Sequence, residues 1–366
     1  MNSADLIYVL ALQNMPNLGD STAKKLIRHL GSAEAVLKAK KEQLLKIDGI
    51  GNIKLQGLHD PEHLRAAEKE LEFIEKNHIS HSYFQEEDYP EKLRHCQDGP
   101  VLLFSRGRIG IKDRKIISIV GTRKITTHGI AFCEKFIEDL APLNPVIVSG
   151  FAYGVDITAQ KAAIQNDLQT IGCLAHGLNQ IYPRVHEKYV KQIEANGGFF
   201  TDFWSTNPFE RTNFLKRNRI IAGLSEATIV IESAEKGGSL VTADIANSYN
   251  REVFAVPGRP NDSQSKGCNN LIKSQNAHLL TGAADLIYLL NWDLTIKSKA
   301  VQKQLFIELD DHEKPVHDFL IQNGKQQLDT IALNCEIPTY KAAGILLEME
   351  LKGAIRPLPG KLFEAI

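Results

Sequence analysis

Long apolar runs are missing from this sequence. No stretch of its 366 residues approaches the roughly 20 apolar positions of a membrane-spanning helix, so no membrane association is expected. The opening Met1-Asn-Ser-Ala-Asp-Leu-Ile has neither the basic nor the apolar region of a secretory leader, which points to the cytoplasm. Cysteine is sparse and scattered, at 96, 133, 173, 268 and 335, with no C-x-x-C pair. That spacing indicates neither a disulfide framework nor a zinc knuckle, and buried free thiols are expected. Excess charge of either sign is also lacking, since the formal net charge is −1. A polyanionic partner must therefore be met by a local patch rather than by overall basicity. G-x-x-x-x-G-K-[ST] is absent, no G-x-G-x-x-G follows the first strand pattern, and H-E-x-x-H does not occur. These absences argue against a P-loop ATPase, a dinucleotide site and a zinc hydrolase, so no cofactor or metal is expected.

What is present divides into segments. Residues 1–80 read as helical, with apolar positions at helical spacing over 4–12, 23–30 and 64–74. Two short breaks carry glycine, Pro16-Asn-Leu-Gly-Asp20 and Ile47-Asp-Gly-Ile-Gly51. The second has the h-x-G-h-G form of a helix-hairpin-helix turn and predicts a helix from about Asn52. Such turns either meet a phosphate through exposed amides or only join packed helices, and both readings stand. Residues 81–112 read as a connector rich in Gly, Pro, Asp and Glu, with room for one short strand at 101–104.

From 113 to 291, short apolar runs alternate with helical patterns. The runs, at 116–120, 146–148, 170–175, 199–201, 227–231, 252–256 and 278–280, lack polar alternation, as strands covered on both faces do. The predicted class is α/β, a Rossmann-like, doubly wound parallel sheet following an N-terminal helical, helix-hairpin-helix-like domain. Residues 292–307 read as a linker. Residues 308–366 have the outline of a winged-helix-like domain: three helical patterns, then two strands around Leu358-Pro-Gly360. That outline suits a protein-contact or dimer module as readily as a DNA-binding one, and the acids on its last helix argue against duplex binding.

The most informative stretch is Arg211-Thr-Asn-Phe-Leu-Lys-Arg-Asn-Arg219. Its cations, Arg211, Lys216, Arg217 and Arg219, are met by no acid until Glu226, and phosphate is the group they suit best. Phe214 among them offers a flat face on which an unpaired base can stack. On a helix here, Phe214 and Arg217 share a face while Asn218 and Arg219 point elsewhere, and one of Arg217 and Arg219 is expected to be structural. Ligands of open parallel sheets sit beyond the strands' carboxyl ends. Three such ends are rich in glycine or hydroxyls: Gly121-Thr122-Arg123, Ser149-Gly150, and Gly238-Ser239 with Thr242. Each reads as a phosphate-binding nest or as a turn with a capping serine, and three in register favour phosphate. His176, at another strand end, is read as a polar cap rather than a base, and Asp156 and Asp244 as structural.

These motifs, taken in order, resemble the DprA/Smf family of DNA-processing proteins. The stretches that carry the resemblance are Ile119-Val-Gly-Thr-Arg123, Val148-Ser-Gly150 with Gly154-Val-Asp156, Gly177-Leu-Asn-Gln-Ile-Tyr-Pro183, and Phe214-Leu-Lys-Arg-Asn-Arg-Ile-Ile-Ala-Gly-Leu-Ser225. Gly238-Ser-Leu-Val-Thr-Ala243, Arg251-Glu-Val-Phe-Ala-Val-Pro-Gly258 and Gly267-Cys-Asn-Asn-Leu-Ile272 complete the series. The resemblance implies the extended form of the Rossmann-like core and the SAM-like form of the N-terminal domain. It also implies single-stranded DNA binding, delivery of RecA recombinase to that strand, a role in natural transformation, a homodimer and no catalytic activity. It implies DNA contacts for Arg123, which matches the Arg of a G-S-R turn, and for Arg211, and base stacking on Phe214. Thr122 stands where the family has Ser, Leu215 where it has Pro, and Gln160 where a His is common. Phe151 and Tyr153 stand where it mostly has Leu and a cation.

The expected interface therefore comprises Gly121, Thr122, Arg123, Ser149, Gly150, Arg211, Phe214, Lys216, Arg217, Asn218, Gly238, Ser239 and Thr242. A strand's phosphates would cross the three nests, screened by Arg123, Arg211 and Lys216 or Arg217. Two other classes share parts of the pattern. One is a nucleotide phosphoribohydrolase of the lysine-decarboxylase-like type, whose P-G-G-x-G-T-x-x-E motif resembles Gly237–Thr242, although no Glu follows at the required offset. The other is a pure scaffold for an acidic protein.

Overall fold

The structure is a computed structural model that describes residues 3–292, 309–358 and 362–365. It forms two compact units, 1–296 and 297–366.

The first unit opens with five helices: α1 (Ser3–Gln13), α2 (Asp20–Leu30), α3 (Ala33–Lys38), α4 (Lys41–Leu44) and α5 (Pro61–Lys76). Their ends follow local chemistry. Asn17 takes the left-handed conformation between α1 and α2, and Ser32 and Asp60 accept hydrogen bonds from amides in the first turns of α3 and α5. The helix expected from Asn52 does not form. Residues 51–58 instead make successive i→i+3 bonds, Lys54 to Gly51 and Leu55 to Asn52 among them. Gly57, at φ +76°, then turns the chain out of any helical path.

Next come β1 (Ser80–Tyr83), α6 (Glu91–Arg94), β2 (Leu102–Gly107), β3 (Ile116–Val120), α7 (Thr127–Leu140) and β4 (Val146–Ser149). They continue as α8 (Val155–Gln165), β5 (Thr170–Cys173), α9 (Glu187–Ala195), β6 (Gly197–Thr201), α10 (Arg211–Leu224) and β7 (Ala227–Val230). The unit closes with α11 (Gly238–Ser248), β8 (Glu252–Ala255), α12 (Lys266–Lys273), β9 (His278–Leu279) and α13 (Ala283–Leu289). These strands form one sheet in the order β1-β2-β6-β5-β4-β3-β7-β8-β9. From β6 through β9 all neighbours are parallel, while β1 and β2 add antiparallel strands at one edge. The segment read as a connector thus belongs to the sheet, with Leu102, Leu103 and Phe104 buried.

All seven parallel strands foreseen from the apolar runs are present. Their residues alternate between two cores. Val120, Val146 and Val148 face one shared with α10, α11 and the N-terminal helices. Ile117, Ile119 and Ile147 face another shared with α7, α8 and α13. The N-terminal helices are therefore not an independent domain, because their apolar faces merge into the sheet's own core. Trp292, expected to begin a linker, is 6% exposed and packs in the second core. The remainder of that linker lies outside the described residues. Strand order reverses at β3, so the crevice beside its carboxyl end is the place where such sheets bind ligands.

The second unit holds α14 (Glu313–Asn323), β10 (Gln326–Gln327), α15 (Leu328–Asn334), α16 (Thr339–Leu351), β11 (Ile355–Leu358) and β12 (Leu362–Ala365). Its strands pair antiparallel in the order β10-β12-β11, which gives three helices and a wing. The Pro359-Gly360 turn lies outside the described residues. Asp310 and Glu313 cap α14 reciprocally, each amide donating to the other's carboxylate at 2.9 Å. No described helix is long and apolar enough to cross a membrane.

Candidate nucleic-acid interface

Helix α10 begins at Arg211, and its periodicity sorts the basic stretch into an outer and an inner set. Arg211, Leu215 and Lys216 are exposed, Phe214 is half-buried, and Arg217 and Asn218 are buried. Arg211 and Phe214, three apart, lie on one helical face. Asn213 holds the start of the helix by donating to the Pro208 carbonyl at 2.8 Å.

The loop after β3 carries Arg123 to the same place. The Thr122 amide donates to the Glu232 carbonyl at 2.7 Å, and its hydroxyl accepts from the Lys124 amide at 3.1 Å. Val155 donates to the Thr122 carbonyl at 3.1 Å. Gly154, at φ +76°, lies directly against the Thr122 carbonyl and the Arg123 backbone, where a Cβ has no space. The turn is therefore fixed, and Arg123 and Lys124 project from it exposed. The Arg123 guanidinium carbon sits 5.3 Å from the centre of the Phe214 ring.

Two further rings complete the rim. Phe209 lies edge-on to Phe214 at 5.6 Å, and Tyr182 lies 4.7 Å from Phe209 and 6.0 Å from Phe214. Phe209 and Tyr182 are 45% and 40% exposed, well above the ordinary level for packed rings. Sequence reading passed over both. Tyr182 stands in a Tyr-Pro pattern that marks only a turn, and Phe209 lies just outside the basic stretch. The usable signal is the pair Pro208-Phe209, one residue upstream of the cations. His176 lies beneath Phe209, 2% exposed, with Nδ1 2.9 Å from the Gly177 carbonyl. Burial holds its pKa below the ordinary histidine value.

Several expected contacts lie inside instead. Arg217 is 4% exposed and donates to the Gly150 carbonyl at 2.6 Å and to the Cys173 carbonyl, bracing the ends of β4 and β5. Its Nε also donates to Asn218 Oδ1 at 3.3 Å, and Asn218 is itself buried. Asp156 supplies the opposing charge. Burial raises its pKa and the Arg217 cation counteracts that rise. The Gly150 amide is directed to the Asp156 carboxylate, and Ser149 is fully buried with its hydroxyl donating to the Ile119 carbonyl at 2.6 Å. The nest after β4 is therefore filled from within by Arg217 and Asp156. At the third, Ser239 donates to Ser233 Oγ at 2.9 Å and Thr242 is 1% exposed, whereas Gly238 is exposed with open space beside it. The picture of three open nests in a row is corrected: the nest after β4 is closed, and the loops after β3 and β7 lie beside it on one side. The physical reason is that a guanidinium reaching the carboxyl ends of buried strands finds free carbonyls there.

Arg219 is structural as well. It bridges Asp20 at 2.8 Å and Asp202, and donates to the Asp98 carbonyl, joining α2, the β6 end and the segment before β2. Burial works against its charge, but the two carboxylates outweigh it and its pKa is raised. Both candidates for the internal arginine are thus internal. Among the described residues, ion pairs claim Arg219 but not Arg123, Lys124, Arg211 or Lys216. The arrangement is an exposed set of cations around clustered, half-exposed rings, suited to a flexible polyanion that carries flat groups.

Comparison with known proteins shows what the chain is similar to. The family model described as DNA recombination-mediator protein A matches residues 80–291, and the DprA winged helix domain matches 307–361. Protein Smf of Synechocystis is 28% identical across the full length of both chains. Protein Smf of Escherichia coli is 34% identical over 75% of this chain and 74% of its own. The solved structure of DNA processing protein A from Streptococcus pneumoniae superposes with a TM-score of 0.65 at 28% identity, covering 79% of this chain and 98% of the other. That of the Helicobacter pylori protein, described for its single-stranded DNA binding mode, gives 0.53 at 29% identity over 58% and 95%.

Proposed function

This chain belongs to the DNA recombination-mediator protein A (DprA/Smf) family, and from that premise we propose that it binds single-stranded DNA at the rim formed by Arg123, Lys124, Arg211, Lys216 and Phe214. The observation that carries the reading is the Arg123 guanidinium over the half-buried Phe214 ring, with Arg211 one turn earlier on the same helix face. Phosphates pass the exposed cations while a base stacks on Phe214, assisted by Phe209 and Tyr182. The loops at Gly121–Thr122 and Gly238–Ser239 flank this path. Arg217, Asn218, Ser149, Gly150 and Thr242 act beneath the surface, holding those loops in place.

The same premise extends the proposal to delivery of the bound strand to RecA recombinase during natural transformation, by a cytoplasmic homodimer. The protein is read as a binding mediator and not an enzyme. The glutamate that phosphoribohydrolase chemistry needs does not follow Gly237–Thr242, which disfavours that alternative. Binding of a dT oligonucleotide that disappears in Arg123→Glu/Arg211→Glu supports the assignment. Unchanged binding in that variant removes it.

A further inference from the structure

The cations on α2 form a cluster that the rim does not use. Ser21, Lys24, Lys25 and Arg28 fall at i, i+3, i+4 and i+7, one stripe of the helix, and His29 borders it. The stripe lines a cavity of about 520 Å³ whose walls carry no carboxylate. Its far wall includes Ile47, the first residue of the glycine-rich hairpin turn, and Lys25 Nζ donates to the Asp48 carbonyl within that turn.

Like charges one helical turn apart repel, so Lys24 with Arg28 costs helix stability unless something offsets it. The nearby acids are poorly placed to do so. Asp20 is engaged by Arg219 at 2.8 Å, and the Asp48 carboxylate, 3.7 Å from Lys25, is fully exposed. Lys24 is 2% exposed, its ammonium donating to the Cys96 carbonyl at 3.5 Å. Lys24 and Arg28 both lie over the buried Phe84 ring, at 5.6 and 5.5 Å, which holds their stems in place. A buried cation, two exposed cations and a histidine thus converge on one hollow with no acid in its lining. Burial lowers the Lys24 pKa to about 8 even though Asp20 acts to raise it, the condition a bound anion would reverse.

We propose that this cavity is a second anion site, which takes a phosphate group borne either by a nucleic-acid backbone or by a free nucleotide. It gives the hairpin turn a part in ligand binding that is separate from the rim on α10.

The test uses the full chain, a Lys25→Glu/Arg28→Glu variant and the Arg123→Glu/Arg211→Glu variant. Both substituted α2 positions are exposed, so the unliganded unfolding midpoint checks that the fold is kept. Inorganic phosphate and adenosine diphosphate are expected to raise the unfolding temperature of the parent and of the rim variant, but not of the α2 variant. If the phosphate belongs to a nucleic-acid strand, the α2 variant also binds a 45-nucleotide dT oligonucleotide more weakly than the parent. Its salt slope then falls by about 0.7 for each lost phosphate contact. If it belongs to a nucleotide, dT binding is unchanged and adenosine diphosphate stabilises at lower concentration than phosphate does. Identical responses of parent and α2 variant to phosphate, adenosine diphosphate and dT overturn the proposal. Retained phosphate stabilisation in the rim variant separates this outcome from any failure of the rim itself.

Discussion

Arg123 and Phe214, ninety-one positions apart in sequence, meet with the guanidinium carbon 5.3 Å from the ring centre. A cation over an aromatic face positions both groups and leaves them half open to solvent. Replacing Phe214 with Ala is expected to weaken dT binding by about 1–3 kcal/mol, with Phe214→Tyr or Phe214→Trp retaining most of it. Fluorescence anisotropy measures this. Equal affinity for Ala and parent would remove base stacking from the interface.

Arg219 is expected to act on stability and not on the binding surface. Arg219→Met leaves the buried Asp202 carboxylate without its partner and lowers unfolding free energy by about 3 kcal/mol. Urea denaturation reads the loss, and the folded fraction should still bind dT. A variant that unfolds like the parent yet binds poorly would place Arg219 on DNA instead.

Gly150 has no space for a side chain, since a Cβ there meets the Arg217 guanidinium and the Asp156 carboxylate. Gly150→Ala is expected to cost about 1–3 kcal/mol of stability by displacing this pair. An Ala variant as stable as the parent contradicts the tight closure of the nest after β4.

These three residues show what sequence made legible and what it did not. The parallel strands could be read because burial on both faces leaves short runs without polar alternation, as in Ile116–Val120. The basic stretch marked α10, and helical spacing separated Phe214 from Arg219. Spacing alone did not show that Arg217 points inward, because its partners, the Gly150 and Cys173 carbonyls, come from strand ends 67 and 44 residues away. Phe209 and Tyr182 were missed for a related reason. Their significance lies in mutual proximity, which no local pattern encodes. The edge strands β1 and β2 were hidden because a strand paired at one edge between turn-rich segments resembles a connector.

Stability should fall on mild acidification through buried histidines. Burial holds the His176, His186 and His81 rings below the ordinary value. The unfolded chain therefore binds more protons near pH 6, so their contribution is complete above about 6.5 and is lost as pH drops through that value. Asp156 and Asp202, whose pKa values burial raises, act with the opposite sign. The comparison of parent with His176→Asn isolates the histidine term. Urea midpoints at pH 7.5 and 5.5 should differ less in the variant, and an equal or larger difference argues against a buried neutral His176.

Thiol chemistry should distinguish one cysteine from four. Cys96, Cys133, Cys173 and Cys268 are buried, and burial pushes Cys133, Cys173 and Cys268 up to about 12, whereas Cys335 is partly exposed. Alkylation of the native protein followed by peptide mass mapping should label Cys335 first, with the other four reacting only after denaturation. Early labelling of Cys173 would mean that the Arg217 region opens.

The most direct test is a salt titration of oligonucleotide binding, with single- and double-stranded probes of equal length, on the parent and on Arg123→Glu/Arg211→Glu. A strand gripped by the cationic rim should bind far better unpaired than paired. Its affinity should fall by about 0.7 log units per log unit of salt for each phosphate contacted, and the variant should lose both the affinity and the slope. Equal binding of duplex and single strand, or a variant that keeps the parent's salt slope, contradicts a rim built from Arg123, Arg211 and Phe214.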